Sequence, residues 1–505
     1  MSKFNIDQKF KQLFNDLPGD KFPSKECVMV HLFLLEAFHS LELTIKKTDG
    51  LFGLYDNMEV QDTSTNSLEL IREKRWRVFV LRAVERYELW WNKVLDTERV
   101  PLTSNKLKSG YFYEWVNSAG MFFSDVTLPP LDVLMVWHTH MMSSKVYLED
   151  CFRQGLNKIW GTEFPWQHVR RMLDMVDGIY MYNPPTETRA YFEKKTGCKW
   201  ENLDDPDTKL LHCFNCGEQK KVQYVKPRKI TGNVIVFDRD AYVEPDMVVP
   251  CSKSPDSEKL CHWNLAFRRF LKDLKKYEKL DRPVAGTILS VDANLPLTSE
   301  SSERINKVLR SGSLLGKLYE WYFRQEENNP LQGFQGIFSH IASEYKRLFG
   351  RDLTTMGPDY KLVQEIVHKR YQCGNTNFGT NLMEDVICQG QFIDQMHGQY
   401  NLNSTFLSAT IDRALHQYQR VVRGTSLSRT ESLDVELTWY IHQMMPKQYL
   451  LYCVAEKGRL LDHGYETDLG LPQGFSVDTA DSLDHYGDCE CWYCKVMTEL
   501  QSVAV

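Results

Sequence analysis

Apolar positions recur along most of this chain at three- and four-residue steps, the spacing that gathers side chains on one helix face. Over 23–47, Val28, Val30, Leu32, Leu34, Leu35, Phe38, Leu41 and Leu43 form a broad apolar face, and Lys46 and Lys47 suit a helix C-terminus. Residues 50–66 read as loop. A second long helix is predicted over 67–96 from Leu70, Trp76, Val80, Ala83, Tyr87 and Trp91, and a shorter one near 111–119. Helical packing is expected to continue through Trp160, Trp166, Met172, Leu173 and Val176 to about Tyr182. Further helices are predicted over 262–279, 301–325, 334–349, 359–371 and 403–422. Aromatic residues at helical spacing read as core.

The pattern changes after Asp204. Lys221–Tyr224 and Asn233–Phe237 are strand-like, and they follow a Cys213-Phe-Asn-Cys216-Gly turn. Such a turn lets two thiolates meet one tetrahedral zinc, with a second pair arriving from a distant loop. Cys251 and Cys261 are that pair, and His262 or His212 could substitute. Nine residues separate Cys251 from Cys261, which is not a standard knuckle. Two readings stay open: a structural zinc, or four ordinary thiols in a small β unit. Near the C-terminus, Cys489, Cys491 and Cys494 could ligate a second metal if His485 or another residue supplied a fourth ligand. A dithiol redox reading would need a βαβ frame, which the pattern does not show.

The strongest single feature is a repeat. Leu131–Cys151 and Leu433–Cys453 align without gaps over 21 positions at a shift of 302, with ten identities. These include Asp132/Asp434, Trp137/Trp439, His140/His442, Tyr147/Tyr449 and Cys151/Cys453. In the first copy Pro130 and Asp132 suit a first helical turn, Leu134, Trp137 and Met141 make an apolar stripe, and Ser143 or Ser144 can cap a second helix. Pro446 sits near the same break in the second copy. Each copy therefore reads as helix, tight turn, helix. Upstream, Arg82-Ala83-x-x-x-Tyr87 is echoed by Arg413-Ala414-x-x-x-Tyr418. The chain is read as an internal duplication in which one copy gained or lost a loop.

The string Trp137-His138-Thr139-His140, after Pro-Pro-Leu-Asp and before Tyr-x-x-Asp-Cys, resembles the WHTH signature of the glycine-rich domain-containing protein family, in its fungal-like branch. Trp439-x-x-His442-Gln443-Met444-Met445-Pro446 resembles a degraded repeat of that signature, and the likeness runs through most of the chain. With 28 glycines in 505 residues, this sequence departs from the family in lacking a glycine-rich tail, and it shows no RNA-recognition motif. The resemblance implies membership more than a reaction.

Length and composition narrow the classes. At 505 residues two or three domains are expected, and 42% hydrophobic with 25% charged residues is ordinary for a soluble globular protein. No apolar run reads as a membrane span and residues 1–19 are too polar for a secretory signal, so no membrane association is expected. Thirteen cysteines without a signal favour a reducing compartment, cytoplasmic or nuclear. A net charge of −6 argues against a globally basic nucleic-acid binder, leaving Lys226-Pro-Arg228-Lys229 and the Cys-rich insert as a local alternative.

His138 and His140, with Asp132, invite a catalytic-metal reading. On a helix, residues i and i+2 point apart, and the second copy has Tyr440 where the first has His138. Orienting the turn, or bonding to Asp132 and Asp434, is the favoured role for His140 and His442. No phosphate loop, GxSxG elbow or HExxH motif is present.

The expected fold is mainly α, with duplicated helical units in a pseudo-symmetric body and a small β-containing Cys-rich insert. The units are expected at 1–204 and 263–465, the insert at 205–262 and a Cys-rich tail at 466–505. The expected function is that of a non-enzymatic scaffold or regulatory binding protein with an unidentified protein partner. A metal-dependent enzyme using His138, His140 and Asp132, and a nucleic-acid binder, are the alternatives.

Overall fold

A computed structural model describes residues 11–16, 21–61, 66–95, 99–103, 106, 111–176, 178–212, 219–244, 247, 265–289, 300–324, 330–366, 378–423 and 432–461. It is mainly helical, with a few small sheets. Two long helices form its spine, α1 (Lys25–Lys47) and α2 (Ser67–Lys93). Ser24 and Asn66 accept hydrogen bonds from the first free amides and so set where each begins. By length and apolar content alone α1 could cross a membrane, but its apolar side chains lie in the protein core.

After a short α3 (Tyr111–Val116), α4 (Leu131–Met142) and α5 (Ser144–Gln154) form a tight hairpin against α2. Gly155 ends α5 at φ +76, and a Cβ there would sit 2.5 Å from the Val100 backbone. Only glycine fits that crossing. Short helices α6 (Asn157–Trp160) and α7 (Trp166–Arg171) follow.

Helix was expected to run on to about Tyr182, and here the structure corrects the reading. β2 (Leu173–Val176) and β3 (Ile179–Tyr182) form an antiparallel hairpin turning at Gly178, φ +82. The Asp177-Gly178 pair is a hairpin signal, and β-branched and aromatic residues flank it. Tyr180 of β3 stacks on Phe33 of α1, which holds the hairpin to the body. α8 (Thr186–Thr196) follows, an element the hydrophobic spacing did not show.

Strands form around the stretches that read as strand-like: β4 (Thr208–His212), β5 (Gln219–Gln223), β6 (Pro227–Thr231) and β7 (Val234–Phe237). β4 pairs with β5, and β6 with β7. β7 also pairs in parallel with β1 (Glu59–Val60), a strand from the first helical region. Leu211, Val222, Tyr224, Ile235 and Tyr242 join the main core rather than building one of their own. The β unit thus gains its order from α2, against which Tyr224 donates to Glu85 at 2.6 Å.

The rest of the chain divides between two cores. α9 (Leu265–Leu280), α10 (Glu300–Leu309), α11 (Gly312–Arg324), α12 (Pro330–Phe349) and α13 (Gly357–Glu365) surround a separate cluster including Leu274, Ile305, Leu318, Ile341 and Leu362. One helix was expected over 301–325; Arg310 and Ser311 divide it in two. α14 (Leu382–Gln399), unforeseen in the sequence, returns to pack on α1, α2 and α4. α15 (Leu407–Arg423), α16 (Leu433–Gln443) and α17 (Pro446–Lys457) complete the main core. The stretch expected as one second unit, 263–465, is therefore spread over both cores.

Trp137 is buried at 1% exposure, as its place on the apolar stripe of α4 implies, whereas Trp439 is only half-buried. Reading aromatic residues at helical spacing as core holds for Trp137 and is corrected for Trp439. Trp137→Ala should lower unfolding stability by about 3–5 kcal/mol and Trp439→Ala by about half that. Urea midpoints of the two variants, at unchanged slope, measure the difference.

Candidate functional site

The two sequence-matched hairpins, α4–α5 and α16–α17, are the natural place to look for chemistry. Pro130 and Pro446 bear out their positions at helix starts, one just before α4 and one opening α17. Three contacts recur in both. Trp137 Nε1 faces the Tyr147 hydroxyl at 3.4 Å, and Trp439 Nε1 donates to the Tyr449 hydroxyl at 2.7 Å. The Tyr87 hydroxyl lies 2.9 Å from His140 Nδ1, and that of Tyr418 lies 2.6 Å from His442 Nδ1. Arg86 Nε donates to Asp132 Oδ2 at 2.8 Å, and Arg413 Nε to Asp434 Oδ2 at 2.7 Å.

The aspartates therefore bond to arginines, and the histidines to tyrosines. The expected His140–Asp132 and His442–Asp434 pairing is replaced by these contacts. The arginine has also moved. Arg413 is the sequence match of Arg82, yet the partner of Asp132 is Arg86, one turn farther along α2. Arg82 turns to Asn202 Oδ1 at 2.9 Å and to the Asp205 carbonyl at 2.8 Å. A buried carboxylate needs a compensating partner, and either turn of the neighbouring helix can supply one.

Burial dominates the electrostatics. His31 of α1 meets His138 with their Nε2 atoms 2.8 Å apart, both rings buried. Loss of solvation pushes His138 down to about 3, and it takes His31 well below the ordinary imidazole range, reinforced by His138. Two neutral rings can share one hydrogen bond; two cations could not. Burial likewise holds Tyr87 and Tyr418 far above the usual phenol range, so their hydroxyls stay protonated.

His140 has a further neighbour. Its Nε2 lies 3.3 Å from Asp150 Oδ2, within ion-pair range but outside hydrogen-bond geometry. Asp150 accepts from Arg153 at 2.8 Å and from the Gly379 amide at 2.7 Å. A carboxylate on that side favours a proton on Nε2, so Nδ1 accepts from Tyr87. Tyrosine, imidazole and carboxylate thus form a line resembling a nucleophile–base–acid relay. All three members are sealed from solvent, at 0% exposure for each. In the second hairpin Tyr452 stands where Asp150 would be and donates instead to the Val422 carbonyl at 2.8 Å, so that line has no carboxylate.

His138, His140 and Asp132 are not brought to one point: they contact His31, Tyr87 and Arg86 respectively. Among the described residues no group of three or more His, Cys, Asp or Glu side chains is arranged to hold a metal ion. Cys213, Cys216, Cys251, Cys261, His262, His485, Cys489, Cys491 and Cys494 lie outside the described residues. His212 ends β4, its Nε2 3.0 Å from the Gln219 side-chain nitrogen. In the basic stretch, Lys226 pairs with Asp238 and Asp240, and Arg228 with Asp238.

Two surface concavities lie elsewhere. One, of about 750 Å³, is lined by Asp125, Arg171, Asn183 and Arg189, and the other, of about 510 Å³, by Phe52, Arg82, Asp207 and Lys226. Neither is lined by a hairpin histidine. His31, Arg86, Asp150 and Asn202 were missed by sequence reasoning. Of these only Arg86, one turn beyond Arg82, and Asp150, in Tyr-x-x-Asp-Cys, carried a readable signal.

The chain matches no family model, no curated protein and no solved structure.

Asp132→Asn leaves Arg86 its Asp205 partner but removes one charged acceptor from a buried guanidinium, so it should destabilise by about 1–3 kcal/mol in denaturant titrations. The buried histidines set a pH dependence. An unfolded imidazole titrates near ~6.5, whereas His138 and His442 are both pushed down to about 3 in the fold. Between those values the unfolded chain binds the extra proton, so stability falls as pH drops through this window. Each histidine contributes a slope of up to about 1.4 kcal/mol per pH unit. His138→Phe should flatten the curve measured between about pH 7 and 5 relative to wild type.

Proposed function

We propose that the chain is an intracellular, non-enzymatic scaffold or regulatory binding protein, of the kind implied by its resemblance to the glycine-rich domain-containing protein family. We further propose that its two hairpin-bearing regions descend from one duplicated unit. The observation that carries the functional reading is the burial of His138, His140 and His442 against partners within the fold. Side chains enclosed in this way support shape; turnover would need at least one of them at an opening. The recurrence of Arg–Asp, Tyr–His and Trp–Tyr contacts supports the duplication. A structural zinc on Cys213 and Cys216, joined by Cys251, Cys261 or His262, belongs to the same reading and rests on the Cys-x-x-Cys-Gly spacing.

The test separates shape from site. His140→Gln and His442→Gln should lower the thermal midpoint while leaving recovery of co-purifying protein unchanged at temperatures where both variants are folded. A variant that keeps wild-type stability but loses its partner would overturn the reading, as would a turnover abolished by His140→Gln alone. Elemental analysis of the purified chain should find zinc that Cys213→Ser with Cys216→Ser removes.

A further inference from the structure

From Phe270 onward α9 buries one face and opens another. Leu271, Leu274 and Tyr277 lie in the second core, while Lys272, Lys275, Lys276 and Lys279 stand exposed. Steps of three and four residues place these four lysines in one row along the helix. Nearby acids turn elsewhere. Asp281 pairs with Arg310 at 2.5 Å, and a Cβ at Gly312, where α11 starts, would lie 3.1 Å from Glu278 Oε1. Among the described residues no ion pair engages the four lysines.

The row is crowded with like charge. Lys276 is held below the ordinary lysine range by loss of solvation, with Arg153, Arg282 and Lys272 adding to the fall and Asp273 opposing it. A run of carboxylates laid over the row would relieve that repulsion. This chain contains such a run. Residues 462–505, outside the described residues, carry nine Asp or Glu against a single Lys, more than the whole net charge of −6. The rest of the chain is therefore slightly basic. Asp478, Asp481, Asp484 and Asp488 recur at the same three- and four-residue steps as the lysines.

The two stretches are within reach of each other. Leu461, the last described residue, accepts at its carbonyl from Ser144 Oγ at the start of α5. Near the other end of α5, Arg153 donates to the Tyr277 hydroxyl of α9 at 3.0 Å. The helical rise between Ser144 and Arg153 is only about 14 Å. Asp478 lies 17 residues beyond Leu461, and a chain of that length can span up to about 56 Å. We propose that the lysine row of α9 is a docking surface for the acidic stretch 478–488 of the same chain. A row covered in this way is closed to other polyanions until the acidic stretch leaves it.

The experiment is carbodiimide crosslinking of the full wild-type chain, which joins a lysine amine to a carboxylate in contact with it. Peptide mass spectrometry should find Lys272, Lys275, Lys276 or Lys279 linked to Asp478, Asp481, Asp484 or Asp488. The links should fade in about 1 M salt, where charges are screened beyond about 3 Å. In an equal mixture of ¹⁵N-labelled and unlabelled chains, each link should join peptides of one isotope. Acetylation of the four lysines gives a second readout. Asp478→Asn with Asp481→Asn, Asp484→Asn and Asp488→Asn should raise their rate at least about threefold, at an unchanged circular dichroism spectrum. Absence of these links, or equal acetylation of wild type and variant, would overturn the proposal. Links that join the two isotopes would assign the row to a second copy of the chain and overturn it as well. So would lysines that are open in wild type and close only when RNA or phosphatidylserine vesicles are added.

Discussion

A buried guanidinium keeps its charge at any accessible pH, so a fold that encloses one must surround it with acceptors. α2 encloses three. Arg75 donates to the carbonyls of Lys46 and Leu54 and pairs with Asp56 at 2.6 Å. Arg82 takes Asn202 and the carbonyls of Asp205 and Pro206. Arg86 takes Asp132, Asp205 and the carbonyls of Lys199 and Trp200. These acceptors come from the end of α1, the start of α4 and the loop that leads into β4. Each arginine thereby fixes the path of a segment that has little helical or sheet structure of its own. The loop around 199–206 passes where it does because five of its backbone carbonyls, those of Lys199, Trp200, Asn202, Asp205 and Pro206, and the Asp205 carboxylate meet two arginines.

This explains how the two hairpins can share contacts without sharing surroundings. The aspartate at each hairpin's first turn needs a cation, and the tyrosine–histidine pair needs only to be dry. The first hairpin satisfies Asp132 from a helix that also organises the β insert, and Asn202 adds a second donor at 2.8 Å. Among the described residues, no such loop reaches the second hairpin. Asp434 is met by Arg413 on α15 and by the hydroxyl of Tyr400. Leu461 then places its carbonyl 3.1 Å from both Ser144 Oγ and the Tyr449 hydroxyl, so one peptide group touches both hairpins.

What the sequence revealed follows from which contacts are local. Helical periodicity located α1, α2, α15 and both hairpins, because an apolar stripe is written within a few turns. The β2–β3 hairpin was hidden because Leu173, Val176 and Tyr180 also fit a helical step, and only Asp177-Gly178 marked the break. α14 was hidden because it is amphipathic only relative to neighbours far away in sequence. The separation of α4's side chains was legible: His138 and His140 at i and i+2 had to diverge. Their partners were not, since His31 lies 107 positions from His138 and Tyr87 lies 53 from His140. Nothing in a stretch of apolar α1 distinguishes a histidine waiting for another histidine from one facing solvent.

The joint between the two cores shows how few groups can couple them. α5 buries Glu149, Asp150 and Arg153 within two turns, a costly set unless every charge finds a partner. Glu149 accepts from the amides of Gly286 and Leu289, Asp150 from that of Gly379, and Arg153 reaches the Tyr277 hydroxyl at 3.0 Å. The first two amides lie just after α9, and Gly379 lies just before α14. Among the described residues, the chain on both sides of the outer helices thus bonds to one short stretch of α5. Because Asp150 also faces His140, this polar set is continuous with the hydrogen bond that His140 accepts from Tyr87 of α2.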